Sequence, residues 1–391
     1  MSENPNVLKP GWKVLHFGQM ASSVTERAEP TPNDSELYVG LEHMDSDSLR
    51  VRRWGSKTDM VGTKFKMRKG DVLFARRNAY LKRVAIAPHD GLFSAHGMIL
   101  RAKPDFIQPD FLPFFMQSDL FMNRAIEISV GSLSPTINWK TMALQEFVVP
   151  PIEEQRKLVT AMKAFDAAID AQIDALEASS VARSAIVEDA LAVHFHKEKI
   201  KPLGSYLKDL SYGSSSRSTY EEKGYPILRI PNVLRGRVDY SDLQHIELNE
   251  IEYERLALRK GDVLIVRTNG NPQYVGRSVV IDSLPNKTVY ASYLIRIRSD
   301  EQSLRSAFLA EFLNAPSTRR RLRGEVKSSA GNYNLNIVGI KKQPICAPEP
   351  TAQDELLSLL KDMDTAIEAA SARIAASRAA KKQLLNERVG A

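Results

Sequence analysis

The tetrapeptide Asn271-Pro272-Gln273-Tyr274 comes nearest to a catalytic motif in this sequence. In enzymes that methylate amino groups, Asn or Asp followed by Pro-Pro and Tyr or Phe holds the target amino group while the aromatic ring stacks on the base. Here the third position is Gln, and no glycine-rich turn after a strand lies upstream to hold S-adenosylmethionine. We therefore interpret the tetrapeptide as a base-contacting loop.

Other catalytic constellations are not recognisable. The sequence has no Gly-x-x-x-x-Gly-Lys-Ser/Thr phosphate loop, and its 7 histidines are scattered. The single cysteine, Cys346, excludes an internal disulfide framework and fits a reducing compartment such as the cytoplasm. We expect Cys346 to be a buried strand residue. The sequence predicts a non-enzymatic binding protein with no metal and no cofactor in this chain.

Arginine, asparagine and aromatic residues are concentrated in a few polar loops. Arginine can bind O6 and N7 of guanine, and asparagine or glutamine can pair with N6 and N7 of adenine. For any single residue the alternative is a solvated loop in which Asn and Gly form turns. We expect the cluster Arg319–Arg321 with Arg323 to contact phosphate, or nothing, rather than bases. The predicted DNA-binding residues are Arg76, Arg77, Asn78, Tyr80, Lys82 and Arg83 in the first half, and Arg217, Arg229, Asn232, Arg267, Thr268, Asn269, Asn271, Gln273 and Tyr274 in the second.

The chain of 391 residues is built from two similar halves. The hexapeptide Arg-Lys-Gly-Asp-Val-Leu occurs at residues 68–73 and again at residues 259–264, and an arginine follows three residues later in both copies. Further matching residues keep the same order in both halves, so we interpret the chain as a tandem duplication. Strand-like runs are predicted at 72–75, 84–87, 263–266, 278–281 and 294–297, and short helices at 109–117 and 304–314.

Each half ends in a long helical segment. Neither Gly nor Pro occurs from Ile152 to Lys201 or from Thr351 to Val389. Apolar residues recur in each at a spacing of about 3.5, which predicts coiled-coil packing against another helix. The natural partner is the other copy, and an inverted repeat requires the two helices to be antiparallel; a helix lying on its own domain is the alternative. The predicted seam comprises Leu158, Met162, Phe165, Ile169, Leu176, Leu356, Leu360, Met363, Ile367 and Ile374.

The charge is distributed unevenly. The formal net charge is +7, from 54 Lys and Arg against 47 Asp and Glu. Residues 151–196 contain 8 acidic and 4 basic residues, and residues 349–391 contain 7 acidic and 6 basic, so the two segments of mixed helix and strand carry all of the positive excess. This distribution predicts that the mixed segments face phosphates and that the helices face protein.

Two motifs in the middle of the chain resemble a known family. Residues 131–138, Gly-Ser-Leu-Ser-Pro-Thr-Ile-Asn, and residues 148–155, Val-Val-Pro-Pro-Ile-Glu-Glu-Gln, are similar to the central conserved region of the DNA-specificity subunit of type I restriction-modification systems. Pro202-Leu203-Gly204-Ser205 resembles the usual opening of its second domain. The second copy differs, with Pro348-Glu349-Pro350-Thr351-Ala352-Gln353 at the helix start.

The resemblance implies an α+β (mixed α/β) fold with two tandem target-recognition domains separated by two long antiparallel coiled-coil helices, in a pseudo-two-fold symmetric arrangement. The expected divisions are 1–150 and 201–348 for the recognition domains, and 151–200 and 349–391 for the spacer helices. Each domain would read half of a bipartite asymmetric site in double-stranded DNA, with half-site centres about one turn, roughly 10 bp, apart.

The implied partners are two methyltransferase subunits bound to the helices and, in some complexes, restriction subunits; no membrane is involved. S-adenosylmethionine, ATP and Mg²⁺ would belong to those partners. Two other functions stay open at this point. One is a free-standing DNA methyltransferase or nuclease, and the other is a two-domain scaffold that binds no DNA.

Overall fold

The computed structural model describes residues 8–28, 37–55, 62–195, 200–234, 236–329 and 331–390. The chain divides into two compact units. Unit 1 consists of residues 1–175 and 370–391, and unit 2 consists of residues 176–369. This division differs from the four segments expected from sequence, because each unit contains a part of both long helices.

The strands of unit 1 are β1 Lys13–His16, β2 Ala21–Val24, β3 Arg27–Ala28, β4 Tyr38–Val39, β5 Lys64–Met67, β6 Val72–Phe74, β7 Val84–Ile86, β8 Gly91–Ser94, β9 Met98–Ala102 and β10 Glu146–Val149. Its short helices are α1 Phe17–Met20, α2 Phe111–Gln117, α3 Asp119–Glu127 and α4 Trp139–Ala143. They form sheets of order β2-β9-β6-β7, β3-β5-β8-β4 and β1-β10.

Strand β6 lies at the centre of unit 1 and is buried on both faces. Val72 and Phe74 belong to an apolar cluster that also contains Phe111 and Phe115 of α2. Leu73 points the other way, into a second cluster with Phe93 of β8. Successive side chains of a strand alternate between its faces, so a continuous run of apolar residues is what a strand between two cores requires.

The strands of unit 2 are β11 Lys201–Pro202, β12 Leu207–Tyr212, β13 Tyr225–Leu228, β14 Gln244–Ile246, β15 Val263–Val266, β16 Thr268–Asn269, β17 Ser278–Val280, β18 Val289–Tyr290, β19 Leu294–Ser299, β20 Lys327–Ser329, β21 Asn332–Asn334 and β22 Pro344–Ile345. Its short helices are α6 Glu250–Leu256, α7 Ser306–Asn314, α8 Pro316–Gly324 and α9 Ile337–Lys341. The sheets have the orders β12-β19-β15-β17, β14-β13-β18, β16-β21-β20 and β11-β22.

Strand β15 of unit 2 repeats the packing of β6. Val263 and Ile265 share an apolar cluster with Phe308 of α7, whereas Leu264 and Val266 face a different cluster. The strands and short helices predicted from sequence in both halves are confirmed to within about two residues at each end. Cys346 is buried, immediately after β22.

The repeated hexapeptide forms a turn that buries an aspartate. Asp71 accepts hydrogen bonds from the backbone N–H of Arg68 at 2.8 Å and from Nε of Arg101 at 2.6 Å. Asp262 accepts the equivalent bonds from Arg259 at 2.8 Å and Arg298 at 2.6 Å. The glycine of each turn has φ of +89°, a conformation that favours glycine. The repeat therefore stabilises the scaffold, and most of the predicted DNA-binding residues lie outside it.

The long helices are α5 Ile152–Phe195 and α10 Pro350–Val389. Both start in the same way. Gln155 and Gln353 are buried, and each donates from its side-chain amide to the carbonyl of the proline five residues earlier, at 2.8 and 2.7 Å. Each also accepts a backbone N–H from the loop that precedes the neighbouring short helix, at 2.9 and 2.8 Å. The two long helices therefore begin with the same geometry, although their proline motifs differ.

Within each unit the two long helices run antiparallel. In unit 1, Asp166 pairs with Lys381 at 2.6 Å and Gln172 contacts Ser377 at 3.4 Å, so the numbering rises in α5 as it falls in α10. In unit 2, Arg183 pairs with Asp364 at 2.6 Å. Lys381 and Arg183, which lie on the facing sides of the two helices, thus each have a carboxylate on the opposite helix.

The predicted seam residues face inward. In unit 1, Leu158, Met162 and Ile169 are buried, and in unit 2 Leu360 is buried. Glu311 of α7 also binds Arg183, at 2.7 Å. The hydrogen bonds that Arg183 donates to Glu311 and then to Asp364 hold the pKa of its guanidinium above the ordinary value. The remaining seam positions are buried or half-buried: Phe165, Leu176, Leu356, Met363, Ile367 and Ile374.

Candidate nucleic-acid interface

The predicted DNA-binding residues lie mainly in two loops that leave equivalent strands. The first loop, residues 75–83, connects β6 to β7, and the second loop, residues 267–277, connects β15 to β17. In each unit the strands at both ends of the loop are antiparallel neighbours in the main sheet. Both loops are therefore fixed at their ends by strands of a buried sheet.

The backbone of the first loop is tightly wound. Asn78 and Lys82 have φ of +56° and +50°, in the left-handed region. The N–H of Asn78 donates to the carbonyl of Pro135 at 2.8 Å, and the N–H of Ile137 donates to the carbonyl of Arg76 at 3.1 Å. The loop is thus attached to residues 130–137, the segment whose sequence is Val-Gly-Ser-Leu-Ser-Pro-Thr-Ile.

Several predicted contacts of the first loop are used inside the protein. Arg76 donates to the carbonyl of Ala95 at 3.2 Å, and Arg83 donates to that of Leu41 at 2.9 Å. Lys82 forms an ion pair with Asp119 at 3.1 Å. These three side chains position the loop, and the sequence could not reveal it because their partners are remote in the chain.

Other residues of the first loop remain accessible. Tyr80 is 54% exposed. Arg77 is exposed and makes a 3.2 Å hydrogen bond to Oγ of Ser134. Asn78 is half-buried, and its Oδ1 has no hydrogen-bond partner among the described residues. Arg77 and Tyr80 are therefore the side chains best placed to contact a ligand.

Residues 130–137 add surface that the site prediction did not include. Val130 and Leu133 are 78% and 96% exposed. The segment is closed by paired backbone hydrogen bonds between Val130 and Thr136, at 3.0 and 2.9 Å. The Gly, Ser and Pro residues of this segment are the sequence signal that indicates an exposed loop.

The second loop starts as a strand. Thr268 and Asn269 form β16, which pairs with β21 and is half-buried. Oδ1 of Asn269 accepts the N–H of Asn271 at 2.8 Å, and Oδ1 of Asn271 accepts the N–H of Gln273 at 2.9 Å. Such side chain–backbone bonds define Asx-turns. Asn271 and Gln273 are exposed beyond them.

Two arginines of the second loop stack on tyrosines. The guanidinium of Arg267 lies 4.5 Å from the ring centre of Tyr212, and Arg267 also donates to the carbonyl of Ser292 at 3.4 Å. Arg277 lies 4.8 Å from the ring of Tyr274. Stacking holds the planar cation at the surface, where it keeps hydrogen-bond donors for a ligand.

Arg319, one member of the arginine cluster of α8, has partners inside the protein. Arg319 donates to the carbonyl oxygens of Val275 at 2.5 Å and Gln273 at 2.7 Å, and Arg323 lies 3.4 Å from Oε1 of Gln273. Burial lowers the pKa of Arg319 to about 10, and the neighbouring cations Arg277 and Arg323 add to this effect. Arg320 stays exposed.

A groove of about 400 Å³ lies beside the second loop and is lined by residues that include 214–218, Arg229 and Tyr293. Arg217 is exposed at its edge. Arg229 lies 5.6 Å from the ring of Tyr220 and 3.4 Å from the carboxylate of Asp242. The serine hydroxyls and two guanidinium groups give this groove the chemistry of an anion-binding surface.

Asn232 requires a correction. It is only 2% exposed, and its amide nitrogen donates to the carbonyls of Asp239 and Asp242 at 3.0 and 2.9 Å. Its Oδ1 accepts the N–H of Arg229 at 2.8 Å. Both ends of the carboxamide are used within its own loop, so the prediction that Asn232 contacts DNA is wrong.

The described residues contain neither a metal-binding cluster nor a membrane-spanning helix. Within the part of the chain that the structure describes, no group of three or more His, Cys, Asp and Glu residues is arranged to hold a metal ion. The same residues include no helix long and apolar enough to cross a membrane.

Comparison with known proteins identifies relatives of this chain. Residues 60–178, which include the first loop, match the family model described as the type I restriction modification DNA specificity domain. The type I restriction enzyme EcoKI specificity subunit of Escherichia coli strain K12 is 26% identical over 292 residues, 71% of this chain. The matched region spans 62% of that protein.

Two solved structures share the fold. A chain from a structure concerned with complex assembly and conformational transition of the type I R-M system has a TM-score of 0.62 at 20% identity, covering 99% of this chain and 98% of that one. The type I restriction-modification S subunit from M. genitalium has a TM-score of 0.52 at 12% identity, covering 100% and 98%. The chain is therefore similar to the DNA-specificity subunits of type I restriction-modification systems, in sequence over residues 60–178 and in fold over its whole length.

Proposed function

We propose that this chain is the non-catalytic subunit that selects the DNA target of a type I restriction-modification complex. Each unit reads one half of a bipartite asymmetric site in double-stranded DNA. The observation that carries the proposal is the pair of loops, 75–83 and 267–277, which leave equivalent strands and present arginine, amide and aromatic side chains.

The accessible residues divide into two roles. Arg77, Asn271 and Gln273 carry donors and acceptors that suit base edges in the major groove. Arg217, Arg229 and the serine-rich groove suit phosphates, which position a protein on DNA without reading sequence. Thr268, Asn269 and Tyr274 contribute through the shape of the second loop.

The partners follow from the same proposal. Two methyltransferase subunits dock on α5 and α10, and a restriction subunit joins the complex in the cytoplasm. S-adenosylmethionine, ATP and Mg²⁺ act in those partner subunits. This division of labour is supported by the concentration of positive charge outside the long helices, whose acidic character suits contact with protein rather than with phosphate.

The experiment is a binding titration of the purified chain with a pool of random-sequence duplexes at increasing salt. Each neutralised phosphate makes the logarithm of the affinity fall by about 0.9 per log unit of salt. We expect a steep fall and enrichment of a two-part sequence after repeated selection. Binding without salt dependence would support a scaffold, and methyl transfer to DNA by this chain alone would support a free-standing methyltransferase. Either result would contradict the proposal.

A further inference from the structure

We infer that Arg319 is a positioning residue for the second recognition loop, and that it determines specificity at one half-site without contacting a base. The inference rests on the proposed function, since it assigns to α8 a role in the DNA reading done by the loop. It differs from the phosphate contact that an arginine-rich helix suggests from sequence.

The contacts of Arg319 are directed inward to the loop backbone. Its two terminal nitrogens donate separately to the carbonyls of Gln273 and Val275, and residues 272–275 lie between the exposed amide of Asn271 and the buried end of the loop. A planar guanidinium that binds two carbonyls at once fixes their relative orientation as well as their distance. Rotation of either the Gln273–Tyr274 or the Val275–Gly276 peptide group would break one of the two bonds.

Gly276 shows that the loop is built around this guanidinium. Its φ is +83°, and a Cβ placed there would lie 2.5 Å from Nη1 of Arg319. Any larger residue at 276 would have to displace the arginine or adopt a strained backbone. The absence of a side chain at Gly276 therefore leaves space for the guanidinium beside the loop.

The surroundings of Arg319 make its charge costly, and bound DNA would reduce that cost. Burial, and to a smaller extent the neighbouring cations Arg277 and Arg323, lower the pKa of Arg319 to about 10, so its charge is held at some cost in free energy. Hydrogen bonds to two carbonyls offset part of this cost. Phosphates bound nearby would offset the remainder, and the loop would then be most rigid when DNA is present.

Unit 1 holds its loop by a different contact in its described part. Asp119 of α3, the short helix that follows α2 as α8 follows α7, forms a 3.1 Å ion pair with the Lys82 side chain of the first loop. The first loop is also fixed by its left-handed residues and by residues 130–137. Among the described residues, a guanidinium of the short helix that bridges two carbonyls of the loop is thus a feature of the second half.

The test compares Arg319→Met with Arg320→Met, which removes an exposed arginine one position away on the same helix. Affinities are measured for the selected duplex and for two duplexes in which one half-site or the other is scrambled. Arg319→Met should lose about tenfold in discrimination at one half-site and keep the other, the loss expected for one base contact. Arg320→Met should lower all three affinities alike.

Two further variants separate positioning from folding. Arg319→Lys keeps the charge but cannot hold two carbonyls in one plane, so its discrimination should lie between that of wild type and Arg319→Met. Gly276→Ala should weaken discrimination at the same half-site, because the added methyl group would lie too close to the guanidinium of Arg319. If Arg319→Lys and Arg319→Met both discriminate as wild type does, or if both half-sites weaken together, the inference is overturned. A wild-type chain that prefers no duplex would instead overturn the proposed function.

Discussion

The two recognition loops begin at equivalent places in their sheets but are held by different means. The first loop has two left-handed residues, backbone hydrogen bonds to residues 130–137, and side chains (Arg76, Lys82 and Arg83) that bind distant residues. The second loop pairs with β21 through β16, is closed by its own asparagines, and is bound at two carbonyls by Arg319 of α8. The comparison teaches that a duplicated scaffold can stay fixed while its loops diverge, which is what reading two different half-sites requires.

The largest expected effect concerns the shared scaffold. Asp262→Ala removes the carboxylate that pairs with Arg298, whose side chain is only 25% exposed. Breaking a buried pair typically costs about 3–5 kcal/mol in the free energy of unfolding. Asp71→Ala should cost less, because Arg101 is 37% exposed and water can solvate it. Urea denaturation of both variants checks the order, and a larger loss for Asp71→Ala would break the comparison.

The next prediction contrasts a buried with an exposed asparagine of unit 2. Asn232→Ala leaves two carbonyls and one N–H without partners and should reduce the free energy of unfolding by about 1–3 kcal/mol. Asn271→Ala, its control, removes an exposed side chain and should change stability by less than about 0.5 kcal/mol. Thermal unfolding separates them. Equal effects would mean that Asn232 is not a structural residue.

A third pair of variants addresses the loops themselves. Arg267→Ala with Asn269→Ala should relax specificity in one half-site by about 1–3 kcal/mol, and Arg77→Ala with Tyr80→Ala should relax the other. Both double variants should still assemble with methyltransferase subunits, which we propose to dock on the helices. If affinity for specific and scrambled duplexes fell equally, these residues would be phosphate contacts, and base reading in the second unit would rest on Asn271 and Gln273.

The smallest effect is expected at Lys82. Its pairing with Asp119 is partly exposed, and such pairs contribute about 0–1 kcal/mol. Although burial alone would raise it, the pKa of Asp119 is lowered, through hydrogen bonds from Lys82 and Lys382. Because the folded value lies below the unfolded one, this stabilisation is present above pH 4, roughly the unfolded value, and is lost as the pH falls further.

Lys82→Met should therefore raise the pKa of Asp119, as measured by a carboxylate titration in nuclear magnetic resonance, with little change in DNA affinity. Lys382→Met is the matched control, since Lys382 contacts the same carboxylate at 3.2 Å but lies on α10. A large loss of DNA affinity in Lys82→Met but not in Lys382→Met would show that Lys82 contacts DNA.

The sequence was most informative where the structure depends on periodic patterns. The strand at 72–74 is visible because its apolar run is continuous, and the seam of α5 and α10 is visible because its apolar residues repeat about every 3.5 positions. Arg319, Asn232 and the aspartate of the repeated hexapeptide behave otherwise. Their partners lie up to 46 positions away or in an irregular loop, so no local pattern reveals that they are internal. Local composition alone could not separate them from DNA contacts.

The most direct test of the account is selection from random duplexes by the wild-type chain and by the two loop variants, sequenced side by side. We predict a two-part consensus for wild type, the loss of one part in the Arg267/Asn269 variant and the loss of the other part in the Arg77/Tyr80 variant. A consensus that is a single block, or one that degrades in both parts for either variant, would contradict the claim that each unit reads its own half-site.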